Sequence, residues 1–139
     1  MLDARDPKHA HALDRLRREP ILWLTTVRSD GQPQSSPVWF VWDEQSFLIF
    51  SIPTSQKVPN IRSNPRVALH LGDDGVGADI VTLEGAARIV ENTPRVDQLP
   101  EYVEKYRGLI EEMGTNPSQF AGLYSTAIRV TPTRVRVAE

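Results

Sequence analysis

Residues 47–67 read Phe47-Leu48-Ile49-Phe50-Ser51-Ile52-Pro53-Thr54-Ser55-Gln56-Lys57-Val58-Pro59-Asn60-Ile61-Arg62-Ser63-Asn64-Pro65-Arg66-Val67 and change character midway. Phe47 to Ile52 is apolar on both faces, the pattern of a strand buried on two sides. Ser55 to Asn64 then breaks that pattern and predicts a short helix ended by Asn64-Pro65, with Pro59 making its first turn irregular. The hydroxyls of Ser51, Thr54 and Ser55 fall where strand gives way to helix. Backbone N–H groups at a helix start lack partners, and the helix dipole favours an anion there. Lys57 adds a point charge and Arg62 a planar one. Such donors fit a phosphate, but spacing alone favours the plainer reading, in which Ser55 caps the helix while Lys57 and Arg62 stay solvated. The residues alone leave both readings open.

Working outward, the segments before Phe47 read as a meander. Ile21 to Val27 and Ser36 to Trp42 are apolar, β-branched or aromatic runs, separated by Arg28-Ser29-Asp30-Gly31. Asp-Gly supplies the positive φ that a tight hairpin needs. Trp42-Asp43-Glu44-Gln45 predicts the next turn. Upstream, Asp6-Pro7 is a helix start, and Ala10, Leu13 and Leu16 recur at helical spacing before Pro20 stops the segment. A helix over about residues 7–18 follows.

Downstream, Arg66 to Leu71 and Asp79 to Val90 read as strands around the loop Gly72 to Gly77, with Gly85 marking a bend or bulge. Thr93-Pro94 predicts another helix start. Leu99, Val103, Tyr106, Ile110 and Met113 form the clearest periodic stripe, read as core or dimer packing, and Gly114 is a natural cap. Asn116-Pro117 opens a further helical turn. The last strand, Thr126 to Val137, changes the parity of its apolar residues at Thr131-Pro132, which predicts a bulge. The sum is six strands with flanking helices, a mainly β chain forming one domain over residues 1–139.

Composition narrows the function classes. The chain has 139 residues, no cysteine and a formal net charge of −2. Disulfides, thiolate metal sites and cysteine nucleophiles are thereby excluded. No basic stripe with interleaved aromatics points to nucleic acid, and no apolar run is long enough to span a bilayer. The polar stretch Met1 to Asp6 has no signal-peptide core, so a cytoplasmic protein is expected. His9 and His11, two apart on a helix, have the wrong spacing for shared metal ligation, and no metal site is expected. His70 lies in a strand where it meets either substrate or solvent. Trp39 and Trp42 have opposite parity, so at most one of them faces any given pocket.

Three stretches together resemble a known family. Gln34-Ser35-Ser36-Pro37-Val38-Trp39-Phe40-Val41-Trp42-Asp43 and Phe47 to Ser51 form a strand pair. Ser55-x-Lys57-x-x-Asn60-Ile61-Arg62-x-Asn64-Pro65-Arg66-Val67-x-Leu69 follows, and then Asp79-Ile80-Val81-x-x-Glu84-Gly85-x-Ala87. This ordered set resembles the pyridoxamine 5′-phosphate oxidase-like split-barrel superfamily, within it most the branch of coenzyme F420-dependent reductases.

The resemblance implies a split β-barrel of the antiparallel six-strand Greek-key type, a homodimer with cofactor sites at its seam, and coenzyme F420 or FMN as cofactor. It carries Ser55 and Lys57 onto the cofactor phosphate with Asn60 and Arg62 nearby. Pro37, Val38 and Trp39 are placed against the ring, and Ser51 and Thr54 beside the ribityl chain. Trp39 suits that role as a flat apolar wall. Basic residues that the oxidase carries at the positions of Ser35 and Phe40 are missing, which argues against pyridoxamine phosphate oxidation and tilts the expectation toward the deazaflavin. The function expected is an oxidoreductase passing hydride or electrons between cofactor and a small organic substrate. The alternative is a non-catalytic flavin or tetrapyrrole binding protein acting as sensor, carrier or reservoir.

Overall fold

A computed structural model describes residues 2–138. Helix α1 (Pro7–Arg18) starts as expected, with the Asp6 side chain accepting from the Lys8 N–H and proline in the first turn. Strands β1 (Leu22–Val27) and β2 (Pro33–Val38) form a hairpin whose turn is closed by Gly31 at φ 91°. Then follow β3 (Val41–Trp42), β4 (Phe47–Ser51), α2 (Lys57–Ser63), β5 (Arg66–His70) and β6 (Ile80–Val90). A 3-10 turn (Val96–Gln98), α3 (Pro100–Glu112), α4 (Pro117–Leu123) and β7 (Thr126–Ala138) complete the chain.

The sheet has seven strands, not six, in the order β2-β1-β5-β6-β7-β4-β3, every pairing antiparallel. The expected single strand from Ser36 to Trp42 is interrupted at Trp39-Phe40, which leaves β2 on one edge and β3 on the other. That interruption decides the shape. A flat seven-strand sheet would hold its edges roughly 29 Å apart. Only three Cα–Cα steps, about 11 Å at most, connect Val38 to Val41, so the sheet must curl until those two ends of its edges come within that distance.

The backbone groups freed by the break are not left unpaired. The Phe40 N–H donates to the Tyr106 hydroxyl at 2.8 Å, and the Phe40 carbonyl accepts from the Lys105 ammonium at 2.9 Å. Two side chains of α3 thus take over the work of a ladder at the seam.

Curling gives each strand an inside and an outside. Inside lie Leu24, Phe40, Ile49, Leu83, Ile128 and their neighbours, with Ala12 and Leu16 of α1 packed onto them. Outside, Leu48 and Phe50 of β4 are covered by Tyr102, Tyr106 and Ile110 of α3 and Phe120 of α4. All five residues of β4 are buried for this reason, which explains the two-faced apolar run in the sequence. No helix among the described residues is long and apolar enough to cross a membrane.

The bulge expected on the last strand is present: Glu84 pairs with Arg134 and Gly85 with Pro132, so Thr133 is the extra residue. Two boundaries differ from expectation. Thr93-Pro94 does not begin a helix, because the chain stays irregular to the 3-10 turn and α3 starts at Pro100. Helix α2 begins at Lys57 rather than Ser55, and its first turn has no side-chain cap.

Candidate functional site

The break at Trp39-Phe40 also creates a hollow. Between the end of β2, the end of β4 and helices α3 and α4 lies a cavity of about 410 Å³, within the size range of small-molecule sites. The strand ends contribute Pro37, Val38, Trp39, Phe50 and Ser51, and the approach to α2 contributes Ser55 and Lys57. Tyr102, Phe120 and Tyr124 close it from the helices, and the half-exposed Ile52 and Met113 stand at its rim.

Its walls are aromatic. Trp39 stacks on Tyr106 at 4.5 Å and on Phe120 at 5.1 Å, and Phe120 stacks on Tyr124 at 4.2 Å, all within 12° of parallel. The flat face expected of Trp39 is therefore engaged with the chain's own rings, and the cavity is lined by Trp39, Phe120 and Tyr124 together rather than by one indole.

Ser55 and Lys57 also border a second, smaller cleft of about 150 Å³, lined by Thr26, Gln34, Ser36, Gln56 and Asn60 among others. An aromatic cavity and a polar cleft thus lie side by side, with Ser55 and Lys57 in the lining of both. The Lys57 ammonium donates to Ser55 Oγ at 2.8 Å. Burial holds its pKa below the ordinary lysine value, and no neighbouring charge offsets that among the described residues.

The residues expected at the site divide as follows. Pro37, Val38, Trp39, Ser51, Ser55 and Lys57 are brought together around the cavity. Ser51 is nearly fully buried, and its hydroxyl donates to the Ile52 carbonyl at 3.1 Å. Asn60 lies in the polar cleft, where its amide N–H groups donate to Thr26 Oγ1 and Gln34 Oε1, each at 2.9 Å, and its oxygen accepts from Gln56 Nε2. Thr54 is exposed and borders neither space. Arg62, exposed at the far end of α2, borders a different crevice with Ile89 and Glu91.

Sequence reasoning missed the rings from the C-terminal half. Tyr102 lies on α3 beside the recognised stripe, and Phe120 and Tyr124 are four apart, a helical spacing that places both on one face. That aromatic pair was the available signal. His70 stacks against Trp23 and is exposed, away from the cavity.

The family model for pyridoxamine 5′-phosphate oxidase matches residues 9–138, and the chain belongs to that family. Solved structures of similar fold include the conserved hypothetical protein Rv2991 from Mycobacterium tuberculosis, 26% identical, with TM-score 0.74 over 94% of this chain and 83% of that one. An F420 reductase is 25% identical, with TM-score 0.65 over 88% of this chain and 94% of its own. The heme storage protein HutZ from Vibrio cholerae shares the fold at 20% identity, with TM-score 0.64 over 92% and 93% of the two chains. A search of curated protein sequences finds no match.

Proposed function

We propose that this chain holds a phosphorylated deazaflavin, coenzyme F420, or else FMN, and uses it as an oxidoreductase on a small organic substrate. The observation that carries the reading is the shared border: an aromatic cavity and a cleft of hydroxyls and amides, both lined by Ser55 and Lys57. A flat ring system with an anionic tail has the same two-part character. The similarity to an F420 reductase supports the reading.

The residues fit such a group. Phe120, Tyr124 and Trp39 offer the apolar wall, exposed ends of β2 offer backbone groups to a ring edge, and Lys57 with Ser55 would hold the phosphate. When bound, the cofactor supplies hydride transfer; the chain supplies position and exclusion of water. Among the described residues, Lys57 is the only cationic side chain bordering either space.

A homodimer belongs to the same proposal: Trp23 and Val27 of β1 stay half-exposed and lie outside both buried cores among the described residues. Light scattering of the purified protein should give twice the mass of one chain.

The deciding experiment titrates the purified protein with F420 and with FMN, following ring fluorescence, and then offers the reduced complex a panel of enones and quinones. Binding at micromolar concentration or better with turnover of an acceptor supports the proposal. Binding without turnover of any acceptor favours a carrier or sensor, and no binding of either ligand ends it.

A further inference from the structure

Among the described residues, the hydroxyl of Tyr102 is the one buried side-chain polar atom without a hydrogen-bond partner. The residue is fully buried on α3. Its ring meets Phe50 edge-on at 5.4 Å, Tyr106 at 4.9 Å and Phe120 at 6.5 Å. Phenylalanine would fill the same space without leaving a donor unpaired, so packing alone does not account for the hydroxyl.

Tyr106, four residues on along the same helix, provides an internal comparison. Its hydroxyl accepts from the Phe40 N–H at 2.8 Å and donates to the Pro20 carbonyl at 2.7 Å, as a tyrosine with a structural task does. Tyr102 has no such task, yet it borders the candidate cavity beside Phe50 and Phe120. Burial pushes its ionisation far above the ordinary tyrosine range, with Tyr106 and Tyr124 adding to the shift. The group is therefore a neutral donor at every working pH.

Resting on the flavin or deazaflavin reading of the cavity, we infer that the Tyr102 hydroxyl donates a hydrogen bond to an acceptor on the ring system held there, a carbonyl oxygen or a ring nitrogen. Tyr102 is then a binding residue that discriminates ring systems carrying an acceptor at that edge from purely apolar ones. An apolar ring would leave the donor as unpaired as it is without a ligand.

The test compares wild type with Tyr102→Phe in three measurements: the melting temperature of ligand-free protein, the dissociation constants for F420 and FMN, and the absorption maximum of the bound chromophore. The expected result is an unchanged or higher ligand-free melting temperature, an affinity weaker by about tenfold for the ligand that wild type binds, and a displaced absorption maximum. Unchanged affinity in the variant overturns the inference while leaving the cofactor reading intact. A lower ligand-free melting temperature also overturns it, because the hydroxyl would then have a partner within the protein. Wild type binding neither ligand removes the cofactor reading, and this inference falls with it.

Discussion

Lys57 Nζ donates a 2.8 Å hydrogen bond to Ser55 Oγ, and this pair lines both the aromatic cavity and the polar cleft. A half-buried ammonium whose hydrogen-bond partner among the described residues is a single hydroxyl is poised to gain from an arriving anion. Lys57→Ala should therefore weaken binding of the anionic cofactor by about 10- to 100-fold, the worth of one charge-assisted hydrogen bond. Ligand-free stability should hold or rise slightly, since an uncompensated charge is removed. The pH dependence has a definite sign. Burial lowers the pKa of Lys57, so its charge is lost at a lower pH than that of an ordinary lysine. Affinity should decline as pH rises through that point, and the decline should vanish in Lys57→Ala. Fluorescence titrations across an alkaline pH series read both effects.

Lys105 is the second lysine that burial perturbs, and here stability rather than binding responds. Its ammonium lies 3.7 Å above the centre of the Phe40 ring and donates to the Phe40 carbonyl. Burial, partly offset by the Glu19 charge, lowers its pKa to about 8 from the ordinary 10.5. Between those values the unfolded chain binds the proton more tightly than the folded one, so the contribution of this group to stability rises with pH across the window. Wild type should gain on Lys105→Met in urea midpoint between pH 7.5 and 10, because the variant lacks the titration. A gap that stays constant or moves the other way would sink the assignment.

Much of this architecture was legible in the chain, and what was not has a physical reason. Local chemistry reads directly: Asp6-Pro7 caps α1, Asp30-Gly31 turns the first hairpin, and the parity change near Pro132 becomes the bulge at Thr133. These depend on a few adjacent residues. The break at Trp39-Phe40 does not, because it exists only through Tyr106 and Lys105, more than sixty residues away. Local propensity makes Ser36 to Trp42 one good strand, and tertiary hydrogen bonds override it. The site divides along the same line. Its strand and α2 residues follow from the polar bend, whereas Tyr102, Phe120 and Tyr124 enter only once α3 and α4 are folded over β4.

Asn60 holds α2 to the first hairpin. Nearly fully buried, its amide bridges Thr26 on β1 and Gln34 on β2 while accepting from Gln56. Replacement by leucine of similar size removes all three bonds and leaves the Thr26 hydroxyl buried without a partner. The expected loss is about 1–3 kcal/mol of stability, seen as a lower urea midpoint with unchanged slope. Because the same residue lines the polar cleft, cofactor affinity should fall as well. A variant as stable as wild type would show that the amide network contributes nothing net.

Two glycines make opposite predictions for the same substitution. Gly85 sits at the register shift between β6 and β7, where a Cβ would meet the Thr131 carbonyl oxygen at 2.9 Å and Val130 Cγ1 at 3.0 Å. Backbone cannot move aside as a flexible side chain can, so Gly85→Ala should force the bulge apart and lose about 1–3 kcal/mol. Gly108 lies on the exposed side of α3, where an added Cβ meets nothing within 4 Å. Alanine there removes only the entropy penalty of glycine in a helix, so Gly108→Ala should add roughly 0.5–1 kcal/mol. Thermal melts of the two variants beside wild type should therefore move in opposite directions. A stabilised Gly85→Ala would mean that β6 and β7 are not held as closely at Thr131 as this geometry requires.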